Sequence, residues 1–263
     1  MSAAAASDPI SESTRISRMQ VWGGNCNSEQ KVHSQGLLGW IFCRAFPPAS
    51  CGGDVYYVSA CGEENLYRIV LADVSGHGGE FNAAAMNLGN LIADHINVHD
   101  QSELMRDLNA DILRAHGKYA TAVVLSFQRQ SGKLLFTTAG HPPVLWYHAA
   151  SGTWDMLHED TPHAIAHEGL PIGLIADTEY SQTGVQLGEG DVLVLYTDGF
   201  AEATDPQGNE LGYEGLMKLA AGIPMDSPET FGARLLGAVC GFCGRPDFDD
   251  DCSLMVMQRG LER

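Results

Sequence analysis

Short runs of apolar residues, separated by polar or glycine-containing turns, recur along the chain and predict β-strands. Two of these runs, 54–61 and 66–72, flank a short turn and predict a hairpin. The runs 180–187 and 191–197 flank a glycine turn and predict a second hairpin. The other predicted strands are 40–46, 121–127, 134–138, 144–148 and 252–258.

Helical spacing of apolar residues occurs in two pairs of segments. The first pair is a helix that follows Gly79 and runs to about Val98, and a helix that begins with Ser102 as its N-cap. The second pair comprises 213–221 and 228–239. This order of strands, two helices, strands, two helices and a final strand favours an α+β sandwich of antiparallel sheets with the helices outside.

The domain organisation follows from length and composition. Residues 1–18 are small and polar and predict a flexible N-terminal arm, which leaves a single domain over 19–263. Within that domain, residues 19–40 carry no periodicity that assigns them to an element. With 263 residues and 44% apolar content, the chain is long enough to bury one large core.

Aspartates lie at the ends of several predicted strands, where a sheet can gather side chains that are distant in sequence. Two carboxylates about 4 Å apart repel by roughly 4 kcal/mol at an effective dielectric near 20, so a cluster of them needs cations. Ligands that are all oxygen favour hard ions such as Mg²⁺ or Mn²⁺ over zinc. The aspartates that predict such a metal centre are Asp54, Asp73, Asp198 and Asp250.

The charge balance excludes two classes of partner. A formal net charge of -18 and a pI near 4.7 argue against binding to nucleic acid or to an anionic membrane, because both need a basic surface. No apolar segment approaches the ~20 residues that a membrane span requires. The N-terminus lacks the basic start and apolar centre of a signal peptide, so we expect a cytoplasmic protein.

Cysteines and histidines offer weaker candidates for chemistry. The seven cysteines are odd in number and scattered, as is typical of a cytoplasmic protein. Cys240 and Cys243 have the spacing of a redox or zinc half-site, but no second pair accompanies them. The polar loop around 159–170 contains histidines without carboxylate partners, which favours solvated side chains over metal ligands; they are His158, His163 and His167.

Six short motifs occur in the order found in one enzyme family. They are Gly52-Gly53-Asp54, Ala72-Asp73-Val74-Ser75-Gly76-His77-Gly78, Thr138-Ala139-Gly140-His141-Pro142-Pro143, Gly169-Leu170-Pro171-Ile172-Gly173-Leu174, Tyr196-Thr197-Asp198-Gly199-Phe200-Ala201-Glu202-Ala203 and Asp250-Asp251-Cys252-Ser253-Leu254. In these motifs the chain resembles the SpoIIE-like branch of the type 2C (PPM) metal-dependent serine/threonine protein phosphatases. The resemblance implies a four-layer αββα sandwich with a metal centre at one edge.

The resemblance also implies roles for individual residues. Asp73 would bridge two Mn²⁺ or Mg²⁺ ions, and the backbone carbonyl of Val74 would bind one of them. Asp54 would bind directly or through water, while Asp198 and Asp250 would complete the shell of the other ion, with Asp250 preferred over its neighbour Asp251.

A metal-bound hydroxide would attack the phosphomonoester. The leaving oxygen would take its proton from a metal-bound water or, as weaker candidates, from His77 or His141. His141 is expected mainly to hold a turn.

The function implied by the family is dephosphorylation of phosphoserine or phosphothreonine in a protein, and in this branch the substrate is an anti-anti-sigma-type regulator of bacterial partner switching. Two alternatives stay open: a catalytically weak phosphatase-like binding module, and a small-molecule phosphoesterase. The N-terminal segment lacks the long amphipathic helix and sensory domain that often precede such phosphatases, and it is a candidate homodimer contact. One departure is that Val55-Tyr56-Tyr57 replaces the usual aromatic and second aspartate after Gly-Gly-Asp.

Other readings of the same motifs are weaker. A nucleophile elbow at Ser75 would need glycine two residues earlier, where Asp73 stands. Gly52-Gly53-Asp54 is also similar to the nucleotide cyclase signature. However, the acidic and aromatic continuation of that signature is missing, and the other motifs have no role in it.

Overall fold

Strands and helices alternate along the chain in the computed structural model, which describes residues 13–15, 21–61, 65–76, 81–115, 117–157 and 169–260. The strands are β1 (Ser13–Arg15), β2 (Val21–Cys26), β3 (Ser28–His33), β4 (Leu37–Arg44), β5 (Cys51–Cys61), β6 (Leu66–Val74), β7 (Ala120–Gln128), β8 (Lys133–Ala139), β9 (Leu145–His148), β10 (Thr153–Met156), β11 (Thr183–Gln186), β12 (Val192–Tyr196) and β13 (Cys252–Arg259). The helices are α1 (Asn82–His95), α2 (Gln101–Arg114), α3 (Asp198–Ala201), α4 (Gly212–Ala221) and α5 (Pro228–Cys243).

The strands form two sheets. One has seven strands in the order β1-β3-β4-β13-β12-β9-β10, and the other has six in the order β11-β8-β7-β6-β5-β2. The pairings between named strands are antiparallel except that β1 runs parallel to β3, which corrects the prediction of wholly antiparallel sheets. The chain reaches β3 from β1 through β2 in the other sheet, and this crossover permits the parallel arrangement.

Three apolar layers hold the sheets and helices together. The side chains that alternate along each strand separate into an inter-sheet core, which includes Ile69 and Leu195, and two outer cores. One outer core packs α4 and α5 on the seven-stranded sheet, with Trp40 and Phe231 fully buried. The other packs α1 and α2 on the six-stranded sheet. The protein is therefore an α+β sandwich with the layer order αββα, as predicted.

Two predicted elements differ from the structure. The runs expected to form the hairpin 180–197 become β11 and β12, which lie in different sheets. Asp191 accepts hydrogen bonds from the backbone N–H of Gly188 (2.8 Å) and of Ala149 (2.9 Å), which fixes the turn as a crossover between sheets. The N-cap of α2 is Asp100 and not Ser102, because the Asp100 carboxylate accepts from the N–H groups of Ser102 (2.8 Å) and Glu103 (3.2 Å).

The N-terminal part contains strands that the apolar pattern does not predict. Residues 19–40 supply β2 and β3, and β1 lies within the segment expected to be flexible. Antiparallel pairing of β2 with β5 places Cys26 opposite Cys51, and the two form a disulfide, whereas the sequence analysis leaves the cysteines unpaired. Among the helices in the described part of the chain, none has both the length and the apolar character needed to cross a membrane. The domain division and the cytoplasmic location stay predictions.

Candidate metal centre

Asp54 and Asp73 meet because the hairpin of β5 and β6 pairs them directly across the sheet. Two residues after Asp54 and two residues before Asp73, the paired residues Tyr56 and Leu71 face the inter-sheet core. Side chains on a strand alternate between faces, so both aspartates also face the other sheet, at the end of the sandwich. The predicted approach of these two carboxylates is confirmed.

Asp198 and Asp250 come from the seven-stranded sheet. Asp198 is the first residue of α3 and is separated from the end of β12 by Thr197 alone, and Asp250 lies shortly before β13. Because β12 and β13 are antiparallel neighbours, with Tyr196 opposite Leu254, the end of one strand and the start of the other lie side by side. The two sheets therefore present aspartates to the same end of the sandwich.

Thr197 links the two sheets at this point, and the sequence analysis assigns it no role. Its hydroxyl donates to Oδ2 of Asp54 at 2.8 Å and accepts from the backbone N–H of Ser253 at 2.9 Å. Its own N–H donates to the Ser253 carbonyl at 3.1 Å. Thr197 is fully buried, so these bonds hold the Asp54 carboxylate at a fixed place relative to β12 and β13.

Asp251 has a supporting role that separates it from Asp250. Its two carboxylate oxygens accept backbone N–H bonds from Phe46 and from Gly53, each at 2.6 Å, and only 2% of the residue is exposed. A Cβ at Gly52 would collide with this carboxylate, so the glycine is required. Asp251 therefore holds the chain just before Asp54, while Asp250 is less buried and accepts from the Asp251 N–H at 2.7 Å.

The Val74 carbonyl oxygen lies against Gly53. A Cβ added at Gly53 would come within 2.9 Å of this oxygen and 3.2 Å of the Gly76 carbonyl oxygen. Glycine at this position thus allows the end of β6 to approach the start of β5 closely. The predicted backbone ligand consequently lies beside the Asp54 and Asp73 pair.

Burial and mutual repulsion make the aspartates hard to ionise. Burial raises the pKa of Asp54 to about 8, and the charges of Asp251 and Asp198 add to the effect. Burial raises the pKa of Asp73 to about 10, with further contributions from Asp54, Asp198 and Asp250. The pKa of Asp198 is also raised, chiefly by burial. Such a site favours protons or cations over free carboxylates.

The donor set fits hard divalent ions. Oδ1 of Asp54 is buried and has no hydrogen-bond partner in the part of the chain that the structure describes, which leaves an oxygen available for a cation. Within the described ranges, no group of three or more Asp, Glu, His or Cys side chains is positioned so that it could hold a metal ion. The fit therefore rests on the oxygen ligands, on their repulsion and on the unpartnered Asp54 oxygen.

The remaining candidates divide into three groups. His77 and the loop histidines His158, His163 and His167 lie outside the described residues. Cys240 and Cys243 lie on α5 as free cysteines, and burial raises the pKa of each thiol. His141 is buried beside Thr121, with 3.2 Å between its Nδ1 and the Thr121 Oγ1.

Glu202 is a further acidic side chain near the centre that the sequence analysis does not single out. Its pKa is raised by burial and by the charges of Asp198, Glu210 and Asp250. Glu202 lies just after α3, within the motif that carries Asp198, and this proximity in sequence is the signal that could have identified it.

Comparisons with known proteins agree with the fold. The family described as stage II sporulation protein E (SpoIIE) matches residues 63–260. The phosphoserine phosphatase RsbP of Bacillus subtilis (strain 168) is 32% identical over 151 residues, which cover 54% of this chain and 35% of RsbP. The chain thus spans only about a third of that relative.

Solved structures show the same architecture. The crystal structure of the RsbU and RsbW domains of Rv1364c from Mycobacterium tuberculosis has a TM-score of 0.72 and 24% identity, covering 90% of this chain and 61% of that chain. The catalytic domain of the serine/threonine protein phosphatase PstP, in complex with 2 manganese ions, has a TM-score of 0.57 and 14% identity, covering 86% of this chain and 99% of that chain. At these identities the similarity establishes the fold.

Proposed function

This chain belongs to the SpoIIE family, and we propose that it is a metal-dependent protein phosphatase that hydrolyses phosphoserine or phosphothreonine esters. The observation that carries the proposal is the meeting of aspartates from both sheets at one end of the sandwich. There the pKa values of Asp54, Asp73 and Asp198 are raised, and one oxygen of Asp54 has no hydrogen-bond partner among the described residues. The name of RsbP, a phosphoserine phosphatase, supports the reaction class.

The proposed site holds two Mn²⁺ or Mg²⁺ ions. Their ligands are Asp54, Asp73, the Val74 carbonyl, Asp198 and Asp250, and the two manganese ions in the PstP complex support the number. Divalent ions bound there would supply a water of lowered pKa and positive charge beside the phosphoryl oxygens.

The chain's own residues prepare this site. Thr197 holds Oδ2 of Asp54, whose Oδ1 accepts no hydrogen bond from the described residues, while Asp251 fixes the backbone at Gly53. Because Asp54 is only 1% exposed, little solvent competes for its oxygens. The carboxylates repel a phosphate dianion as well as one another, so hydrolysis should depend strictly on added metal.

We propose a protein substrate of the anti-anti-sigma type, phosphorylated on serine, in a partner-switching pathway. This assignment rests on the family. A homodimer through the N-terminal segment is proposed on the same basis, and most of that segment lies outside the described residues.

Hydrolysis of p-nitrophenyl phosphate with Mn²⁺, Mg²⁺ or EDTA tests the reaction. We expect metal-dependent turnover that Asp73→Asn abolishes while Asp226→Asn, an exposed aspartate outside the cluster, leaves it unchanged. A phosphoserine peptide assayed under the same conditions distinguishes a protein phosphatase from a small-molecule phosphoesterase. Equal turnover by wild type and Asp73→Asn would refute the proposed metal centre.

A further inference from the structure

His141 is a buried histidine with one ring nitrogen that has no hydrogen-bond partner among the described residues. It follows β8 in the turn that begins at Gly140, and 9% of the residue is exposed. Nδ1 lies 3.2 Å from the hydroxyl oxygen of Thr121. Nε2 is buried and has no hydrogen-bond partner within the described ranges of the chain. Buried polar atoms are normally paired, so this nitrogen is available to a ligand.

The position of His141 places it beside the metal centre. Thr121 on β7 pairs directly with Asp73 on β6, and two residues further on, Val123 faces the inter-sheet core. Thr121 therefore faces the same side of the sheet as Asp73. A bridge between Ala122 and Gly140 fixes the backbone next to His141. Asp54, Asp73, Thr121 and His141 thus form one row across the end of the six-stranded sheet.

The chemistry of this row determines what His141 can do. Burial lowers the pKa of His141 to about 3, so the ring is neutral at physiological pH, with one nitrogen as donor and the other as acceptor. When the Thr121 hydroxyl donates to Nδ1, the proton of the ring lies on Nε2. The aspartates of the row offer only acceptors when ionised, whereas a phosphate needs donors.

We propose that His141 contacts the substrate, with its Nε2–H donating a hydrogen bond to an oxygen of the phosphoryl group and with Thr121 as the positioning residue that selects this tautomer. The inference rests on the proposed function, since the phosphate in question is that of the substrate. It assigns His141 a role in binding the phosphate, beyond the turn that it occupies.

The first test is direct observation of the ring by NMR. The ¹⁵N-labelled protein with Mg²⁺ is titrated with inorganic phosphate, and the His141 signals are identified by their loss in His141→Phe. We expect Nε2 to carry the proton and its resonance to shift on addition of phosphate. A proton on Nδ1, or a resonance that phosphate does not move, would overturn the proposal.

The second test is inhibition of p-nitrophenyl phosphate hydrolysis by inorganic phosphate. His141→Phe keeps a planar aromatic ring but removes the N–H donor, and it should weaken inhibition about tenfold or more, as expected for the loss of a hydrogen bond to a charged group. His141→Gln, which retains an N–H donor, should recover part of the loss. His148→Phe is the matched control, because His148 lies on β9 against Trp146, near the opposite end of the sandwich.

The outcomes separate this proposal from the proposed function. If wild type hydrolyses the substrate and His141→Phe keeps the same inhibition constant, His141 only fills its turn and the phosphatase assignment stands. If wild type has no activity but phosphate still moves the Nε2 resonance, the anion contact stands and the phosphatase assignment fails. Should His141→Phe not fold, the loss of signals in His141→Gln identifies the His141 resonances instead, and the NMR titration of wild type decides.

Discussion

Replacing Asp54 with asparagine should stabilise the metal-free protein at neutral pH. Asp54 is 1% exposed, and one of its oxygens has no hydrogen-bond partner among the residues that the structure describes. The ionised form is disfavoured first by burial and then by neighbouring Asp251 and Asp198, so the folded state raises its pKa from 3.8 to about 8. Asparagine has nearly the same shape, retains an acceptor for the Thr197 hydroxyl and carries no charge.

The sign and size follow from proton linkage. Between about pH 4 and pH 8 the unfolded chain has released a proton that folded Asp54 retains, so the free energy of unfolding falls as pH rises, by about 1.4 kcal/mol per pH unit at most. Asp73, whose pKa is about 10, contributes with the same sign. We therefore expect Asp54→Asn to gain on the order of 2 to 4 kcal/mol at pH 7, and little at pH 4.

Urea unfolding in EDTA at pH 5 and pH 7.5 measures this effect. Wild type should lose more stability between these pH values than Asp54→Asn, which still contains Asp73. The control is Asp191→Asn, an equally buried aspartate that accepts from the indole N–H of Trp146 at 3.0 Å and should lose stability at both pH values when replaced. A variant less stable than wild type at pH 7.5, or with the same pH dependence, would refute the reasoning.

Four further substitutions test the residues that support the centre and one of its proposed ligands. Thr197→Val removes the hydroxyl between Asp54 and the Ser253 N–H, and should cost about 1–3 kcal/mol in urea unfolding and most of the metal-dependent activity, whereas Thr197→Ser should retain both. Equal behaviour of the two variants would contradict the bridging role. Asp251→Asn leaves the N–H of Phe46 or Gly53 without an acceptor and should cost about 1–3 kcal/mol. Asp250→Asn should instead lose activity with little change in stability. If Asp250→Asn lost stability and Asp251→Asn lost only activity, Asp251 would be the ligand and Asp250 the supporting residue.

The hairpin that carries Asp54 and Asp73 could be predicted from the sequence because it depends on residues that are close together along the chain. Two apolar runs separated by a short polar turn define both the pairing and the face that each side chain takes. Once the strands are adjacent, the register places the two carboxylates opposite each other. The same local reasoning identifies Asp198 and Asp250 at strand ends.

The features that could not be predicted depend on contacts between distant segments. The turn at 188–190 has the residues of a hairpin, yet the chain crosses between sheets there. The crossover depends on the pairing of β11 with β8 and on the hydrogen bond from Ala149 to Asp191, which are contacts between distant segments. Strands β2 and β3 contain glycines and exposed polar residues, so they lack an apolar period, and pairing with β5 and β4 gives them their structure. The sequence does not distinguish Thr197 from other threonines, because its role depends on the fold bringing Asp54 within hydrogen-bonding distance of its hydroxyl.

The supporting residues explain how an unfavourable cluster can persist in the fold. The aspartates of the centre repel one another, and this repulsion acts against folding until cations bind. Thr197 and Asp251 oppose this repulsion by holding Asp54 in place. Thr197 donates to the Asp54 side chain, and Asp251 accepts from the backbone N–H of Gly53. Both residues lie next to strands of the other sheet. A site assembled across two sheets in this way can be no more rigid than the packing between them. Substitutions in the inter-sheet core, such as Leu195→Ala, should therefore reduce metal affinity although they touch no ligand.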